Sequence, residues 1–370
     1  MFLLSNTAPH KTLWAGVNME NNFFIFNDKD FSVEFERFHI CTWEFKNNTA
    51  LVEFGGELSS ENDYPDDIAL YLYLPWLTSS MERTDLYERL KDPENSKFIF
   101  NDAIESNIYI DGGVREKGVV HRFSFRDPLC ILPVILDNSI EKENILKILI
   151  NTRMLKEKLG SDNKTHIYFR ISVNVDLNLI STRKTGISKS SILYDLKINE
   201  RRNLPTSLNL QEKVLSKIKN CFCFNVIPNT YELSFFDRVS LKNIRTLEYD
   251  PSFKYLGDKR IRKDEYIVVF NKQKGEESYS FFSVYTKERI GTGQFALAML
   301  VSIISGFLLF IPSFKLDNHV SFFSSEFWSR LPLEVYISLS IGLSIFFYFV
   351  WPTINKICKL FGKLGKGKLQ

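Results

Sequence analysis

The sequence predicts an α+β protein, in which a β-rich antiparallel cytoplasmic region is followed by a C-terminal two-span transmembrane helical hairpin. Three observations predict it. Apolar and polar residues alternate with period two through much of residues 1–290, the pattern of strands with one buried face. Two nearly uncharged runs follow, Phe295–Phe314 and Leu333–Trp351. Each is about 19–20 residues long and, at about 1.5 Å rise per residue, would cover the roughly 30 Å of a bilayer's hydrocarbon core. Lysines and arginines flank the pair on its outer sides.

Taken in order, Phe31, Val33 and Phe35 alternate with Ser32, Glu34 and Glu36, and the alternation runs on through Cys41, Trp43 and Phe45. Lys46-Asn47-Asn48-Thr49 makes a turn and Ala50–Phe54 returns, a hairpin signature. Ile68–Leu74 is a short apolar run ended by Pro75. Residues 107–110 and Val119–Phe125 flank Gly112-Gly113 and predict a second hairpin. Asn138 with Glu141 resembles a capping box, and Ile145, Leu146, Ile148, Leu149 and Leu155 follow before Gly160. That spacing predicts a helix, and a sub-boundary is placed near residues 138–160.

Ile167–Leu179 then alternates without a break. At roughly thirteen residues it exceeds the usual strand length, so a bend or a crossing between layers is expected. Ile192, Tyr194, Leu196 and Ile198 are its expected partner. A second helix is predicted over Leu208–Lys219, with Leu210, Val214, Leu215 and Ile218 on one face and Pro205 upstream. Tyr266–Phe270 and Tyr279–Tyr285 flank Asn271–Gly275, which predicts a last hairpin feeding the first span.

The spans are placed at about 295–314 and 333–351 within residues 291–354, with a basic tail over 355–370. Lys287 and Arg289 precede the first span. Lys356, Lys359, Lys363, Lys366 and Lys368 follow the second and suit anionic lipid headgroups. The intervening loop sets Lys315 and Arg330 against Asp317, Glu326 and Glu334. The asymmetry predicts a two-pass protein of the inner membrane with both termini cytoplasmic and a short external loop. Phe322, Phe323, Phe327 and Trp328 in that loop suit an aromatic belt. Met1-Phe2-Leu3-Leu4 lacks a basic start and a long apolar run, so no signal peptide is expected. The sequons at Asn47 and Asn163 are then read as chance matches.

A net charge of +3 gives little support to a nucleic-acid-binding surface. The five cysteines form no CxxC pair and the five histidines are scattered, so reduced thiols, no metal and no cofactor are expected. His121 with Asp127 and His166 with Asp176 are conceivable acid–base pairs, but neither has a nucleophile or ligand partner. No catalytic signature is present, so an enzyme is not expected. Lys259, Arg260, Arg262 and Lys263 form the densest basic cluster. It is either an anion site, for phosphate, nucleotide or lipid headgroups, or a solvated loop. Within the spans, Ala298, Ser302 and Gly306, then Ser338 with Gly342 and Ser340 with Ser344, place small residues every four positions, where helices can approach closely.

This order of parts resembles the sensor-plus-two-helix membrane effectors of bacterial anti-phage defence. The resemblance implies a soluble domain that detects a cytoplasmic protein partner or a small-molecule or nucleotide trigger. It also implies spans that self-associate and disrupt the inner membrane. The competing expectation is a membrane-tethered scaffold whose hairpin is a passive anchor.

Overall fold

The computed structural model describes residues 21–46, 48–59, 64–113, 117–137, 144–159, 164–205, 212–237, 239–318, 324–347 and 351. The chain forms two compact units, residues 1–184 with 191–287 and residues 185–190 with 288–370. The first unit begins with β1 (Asn22–Asp28), β2 (Glu34–Glu44), β3 (Thr49–Leu58), β4 (Asp67–Tyr73), β5 (Arg83–Asp85), α1 (Tyr87–Leu90) and α2 (Pro93–Phe100). It continues through β6 (Ile104–Asp111), β7 (Lys117–Phe123), β8 (Leu129–Ile131), β9 (Val134–Asp137), β10 (Ile145–Asn151) and α3 (Arg153–Leu159). Then come β11 (His166–Asp176), α4 (Leu177–Ile180), β12 (Thr182–Thr185), β13 (Lys189–Ile198), β14 (Lys213–Leu215), β15 (Lys217–Ile218) and β16 (Asn220–Pro228). It closes with β17 (Glu232–Phe236), β18 (Leu241–Thr246), α5 (Tyr249–Leu256), β19 (Tyr266–Lys274) and β20 (Tyr279–Glu288).

These strands build two sheets. One runs β17-β20-β13-β1-β4-β10-β9, with β12 beside β13 and β14 beside β1. The other runs β18-β19-β16-β2-β3-β11-β8-β7-β6, with β15 on β2 and β5 on β11. Their inner faces share one apolar core, in which Phe23, Leu70 and Ile148 of the first sheet join Ile40, Val52 and Ile171 of the second. Phe23 and Phe54 meet edge to face across it at 5.4 Å. The result is a β-sandwich, in which strand alternation sends every second side chain inward.

The hairpins β2–β3 and β6–β7 form as the alternation predicts, with Trp43 opposite Leu51 and Tyr109 opposite Val119. The Ile68 run is β4. Other expectations are corrected. The sheets are mixed rather than antiparallel, since β1 with β13, β2 with β16 and β8 with β11 are parallel.

Ile145–Asn151 is a strand between β4 and β9, and helix begins only at Arg153. Its apolar spacing fitted either form, but β-branched Ile145, Ile148 and Ile150 favour a strand once β4 offers an edge. Asn138, Glu141 and Gly160 lie outside the described residues.

The long strand β11 stops at Asp176, and Leu177–Ile180 turns into a short helix that buries both of those end residues. Its neighbours are β3, β5 and β8, whereas the expected partner β13 lies beside β1 in the other sheet. Residues 213–218 are not helical. β14 pairs with β1 and β15 with β2, so this segment passes from one sheet to the other. Leu208 and Leu210 lie outside the described residues. β19 and β20 are strands as predicted but do not form a hairpin. β19 lies between β16 and β18, and β20 between β17 and β13 in the opposite sheet.

The second unit holds α6 (Thr292–Asn318), α7 (Ser325–Ser329) and α8 (Leu333–Ile345). Within α6, the 19 residues Gly293–Ile311 have a mean hydropathy of 2.3 and only 6% of them are buried. A core helix of a soluble domain would be mostly buried, so α6 is long and apolar enough to cross a membrane. The regular part of α8 is 13 residues, a rise of about 20 Å at 1.5 Å per residue. It is apolar but shorter than a span.

Candidate functional site

The outer face of the larger sheet carries the unusual chemistry. Phe38 and Ile40 of β2 point into the core, so Arg37, His39, Cys41 and Trp43 point out. By the same alternation β3 presents Glu53, Gly55 and Glu57, β11 presents Tyr168 and Arg170, and β16 presents Phe222, Phe224 and Val226. Helices α2 and α5 lie against this face. Pro93 opens α2 after Asp92, whose carboxylate accepts from the Glu94 N–H, and Asn101 ends it in the left-handed region. Gly257 ends α5 the same way. Lys254 of α5 pairs with Asp92 at 2.8 Å.

Two buried carboxylates organise the face. Glu53 accepts from Trp43 Nε1 at 3.0 Å, Arg170 Nε at 2.7 Å and Tyr255 Oη at 3.1 Å. Glu57 accepts from Arg126 Nη2 at 2.6 Å and meets His166 Nδ1 at 2.8 Å, with Arg37 Nε at 3.7 Å. Burial pushes the Glu57 pKa up, but the His166 hydrogen bond and the Arg126 and Arg37 charges outweigh it and hold the pKa at about 2. Close packing of β3 on β11 depends on Gly55, where a Cβ would overlap the Tyr168 hydroxyl.

His39 sits between these clusters, its ring 5.0 Å from Phe222 and 5.8 Å from Tyr168. Burial first, and then the Arg170 charge, lower its pKa to about 3, so it is neutral near pH 7. An acid-sensitivity follows. The native state refuses a proton that an unfolded histidine takes near pH 6.5, so this contribution to stability is complete above pH 6.5 and lost as pH falls toward 3. Glu57 adds to the loss only between pH 4.5 and about 2. Asp85, raised to about 6 by burial, acts in the opposite direction between pH 6 and 3.8. Comparing the parent with His39→Gln isolates the histidine. Between pH 7 and 5 the parent should lose stability relative to the variant, by up to about 1.4 kcal/mol per pH unit. Denaturant midpoints measured at each pH check this, and parallel curves would refute it.

Beside α2 the face opens into a cleft of two compartments. The deeper, about 100 Å³, reaches Cys41, Trp43, Arg170 and Glu248. The outer, about 290 Å³, is bordered by Arg37, Arg126, Arg245, Phe222 and Phe270, and the compartments share His39, Phe100 and Phe224. Three phenyl rings run parallel along its wall, with Phe222 and Phe270 at 5.9 Å and Phe224 and Phe270 at 4.7 Å between centroids. Arg126 lies over the Phe100 ring at 4.9 Å, and its buried Nε has no hydrogen-bond partner among the described residues. Lys272 stands 5.0 Å over Phe222. Burial lowers its pKa, and the like charges of Arg37, Lys274 and Lys242 lower it further.

The described cysteines Cys41, Cys130, Cys221 and Cys223 are buried thiols whose pKa values burial raises, which suppresses thiolate chemistry. Among the described residues no group of three His, Cys, Asp or Glu could hold a metal. No protein-family model matches the chain, and no curated protein matches it either.

The residues singled out from sequence fall elsewhere. The guanidinium of Arg260 is engaged by Asp258 at 2.6 Å, Thr49 at 2.9 Å and Asn174 at 3.1 Å, over the Phe45 ring at 4.0 Å. Lys259, Arg262 and Lys263 are exposed around buried Ile261. His121 is buried, with Nε2 3.0 Å from the Leu90 carbonyl and Nδ1 2.5 Å from the Asn107 amide. His166 and Asp176 stand at opposite ends of β11.

In the second unit, a Cβ added at Gly342 would lie 3.5 Å from Ile303. Ser302, Gly306 and Ser338 border a crevice of about 270 Å³, and Ala298, Ser340 and Ser344 are exposed. Ser302 and Ser344 donate to the carbonyls of Ala298 and Ser340, four residues back on their own helices. Lys356, Lys359, Lys363, Lys366 and Lys368 lie outside the described residues.

The cleft arginines escaped the sequence reading because each is isolated in the chain. One pattern could have pointed to them. On β16, Phe222 and Phe224 alternate with Cys221 and Cys223, so both faces are apolar and the outer one must be covered.

Proposed function

We propose that this protein is a ligand-operated effector of the inner membrane, acting in anti-phage defence and not as an enzyme. Its β-sandwich senses a small cytoplasmic trigger, and its helical hairpins associate to disrupt the bilayer. One observation carries the reading. A preformed arginine–aromatic cleft shares a polypeptide with an apolar helix whose row of small residues is left uncovered. A Cβ placed at buried Gly342 would rest 3.5 Å from Ile303, while nothing lies within 4 Å of a Cβ placed at Gly306. The hairpin thus closes near Gly342, and Gly306 stays open on the crevice it shares with Ser338, where a helix of a second copy can enter. In this reading α8 extends to a second span, both termini are cytoplasmic and the lysine tail meets anionic lipid.

A path from cleft to helix, through hydrogen bonds between β16 and β20 and then along the chain, supports it. Asn225 follows Phe224 on β16, and its amide donates to Tyr285 Oη at 3.0 Å and Ser283 Oγ at 3.3 Å on β20. β20 ends at Glu288, and α6 begins at Thr292.

Induced expression in cells bathed in a membrane-impermeant dye tests the proposal. With the trigger present, the parent should admit dye. Gly306→Leu keeps apolarity but blocks close approach, so dye entry should be lost with membrane-fraction protein unchanged. Gly342→Leu should do the same by prising the hairpin apart. If both variants admit dye like the parent, or the parent is harmless, the hairpin is a passive anchor.

A further inference from the structure

We infer that the cleft binds a nucleoside phosphate, its base on the Phe222–Phe270–Phe224 ladder and its phosphate on Arg37, Arg126 and Arg245. This deepens the sensing role proposed above and rests on it. The charge balance points to an anion, because three arginines and no carboxylate line the outer compartment. The nearby acids already have partners, Glu53 in Arg170, Glu57 in Arg126 and His166, while Arg37 and Arg245 lie only loosely against Glu57 at 3.7 Å and Glu248 at 3.6 Å. Arg126 nonetheless keeps a buried Nε–H without an acceptor, a donor that a bound oxyanion would satisfy. The lowered pKa of Lys272, set in part by like charges around it, supports the same excess of cations.

The second half of the ligand is read from the rings. Phe222, Phe224 and Phe270 are half-buried, parallel and next to the arginines, an arrangement that suits a flat π-system continuing the stack. Neutral His39 beside them can exchange hydrogen bonds with a base edge without adding charge. Size favours a small ligand over a nucleic-acid strand. Phe98–Phe100 of α2 wall off the sheet face, and the compartments together reach the lower end of the roughly 300–1,000 Å³ that holds small ligands.

The test uses the purified full chain in detergent and isothermal titration with ATP, GTP, CTP and UTP. The four nucleosides, tripolyphosphate and a single-stranded RNA 12-mer serve as comparisons. At least one triphosphate should bind at least tenfold more tightly than its nucleoside and than tripolyphosphate. Arg37 and Arg245 are 37% and 49% exposed and sit 3.7 Å from Glu57 and 3.6 Å from Glu248, so Arg37→Gln with Arg245→Gln should leave the chain folded with its melt only slightly lowered. The pair, and separately Phe222→Ala, should each weaken binding at least tenfold. The inference falls if no triphosphate binds below 1 mM, if the variants bind as the parent does, or if the RNA binds more tightly than every triphosphate. Dye entry separates this from the broader reading. If the arginine pair abolishes dye entry while no triphosphate binds, the sensing cleft stands and the ligand class is wrong. If a triphosphate binds as described yet the pair leaves dye entry intact, the ligand class stands and the effector reading falls.

Discussion

Glu53→Ala is expected to cost the sandwich most of its stability. The carboxylate is fully buried and receives Trp43, Arg170 and Tyr255. Removing it strands the Arg170 guanidinium, only 6% exposed, without a counter-charge. Breaking a buried pair from one side costs about 3–5 kcal/mol, and each orphaned donor about 1–3 more. Whole domains are stable by about 5–15 kcal/mol, so the variant should be unfolded or close to it. Glu53→Gln, which keeps an acceptor, should fall between. By contrast, loss of the exposed Arg153–Glu157 pair should cost under about 1 kcal/mol. Urea midpoints followed by tryptophan fluorescence measure all three. A Glu53→Ala midpoint within about 1 kcal/mol of the parent would show that Arg170 finds another partner or water.

Ile304→Asp is expected to release the chain from the membrane. Ile304 lies near the middle of Gly293–Ile311 and half of its surface is open, as suits a lipid-facing position. A charge at the centre of a span costs about 2.5–3.5 kcal/mol on insertion scales, and α8, whose regular part is shorter than a span, would enter only as the second half of the hairpin that α6 begins. The same change on a water-exposed helix costs only a few tenths of a kcal/mol in propensity. The size of the response therefore reports the solvent around α6. After alkaline carbonate extraction the parent and Ile304→Val should stay in the membrane pellet, and Ile304→Asp should move to the supernatant. A variant that stays in the pellet, or a parent that leaves it, would remove α6 from the bilayer.

The local elements are legible in the sequence because their signals are carried by neighbouring residues. The alternation through Phe35, Cys41 and Trp43 and the return over Ala50–Phe54 give β2 and β3, because period two needs no information from the rest of the chain. The length and apolarity of Phe295–Ile311 likewise mark α6. What each element pairs with emerges only in the folded chain. Ile145–Asn151 reads as helix from its spacing, yet it is a strand because β4 and β9 take its hydrogen bonds. Tyr266–Phe270 and Tyr279–Tyr285 look like a hairpin, yet each satisfies its backbone in a different sheet. Alternation tells which side of a strand is buried, while the partner strand is set by the remaining open edges, which are distant in sequence.

The cleft is an extreme case of the same division. Arg37 stands on β2, Arg126 in the turn after β7 and Arg245 on β18, and none has a basic neighbour in the chain to mark it. They converge because β2, β16, β19 and β18 lie side by side and because buried Glu57 draws Arg37 and Arg126 together. The Lys259–Lys263 cluster, dense in sequence, has Arg260 bound to Asp258 and buried Ile261 at its centre. Charge density along a chain measures composition, whereas an anion site needs convergent donors left without acceptors, and only the folded chain determines which donors those are.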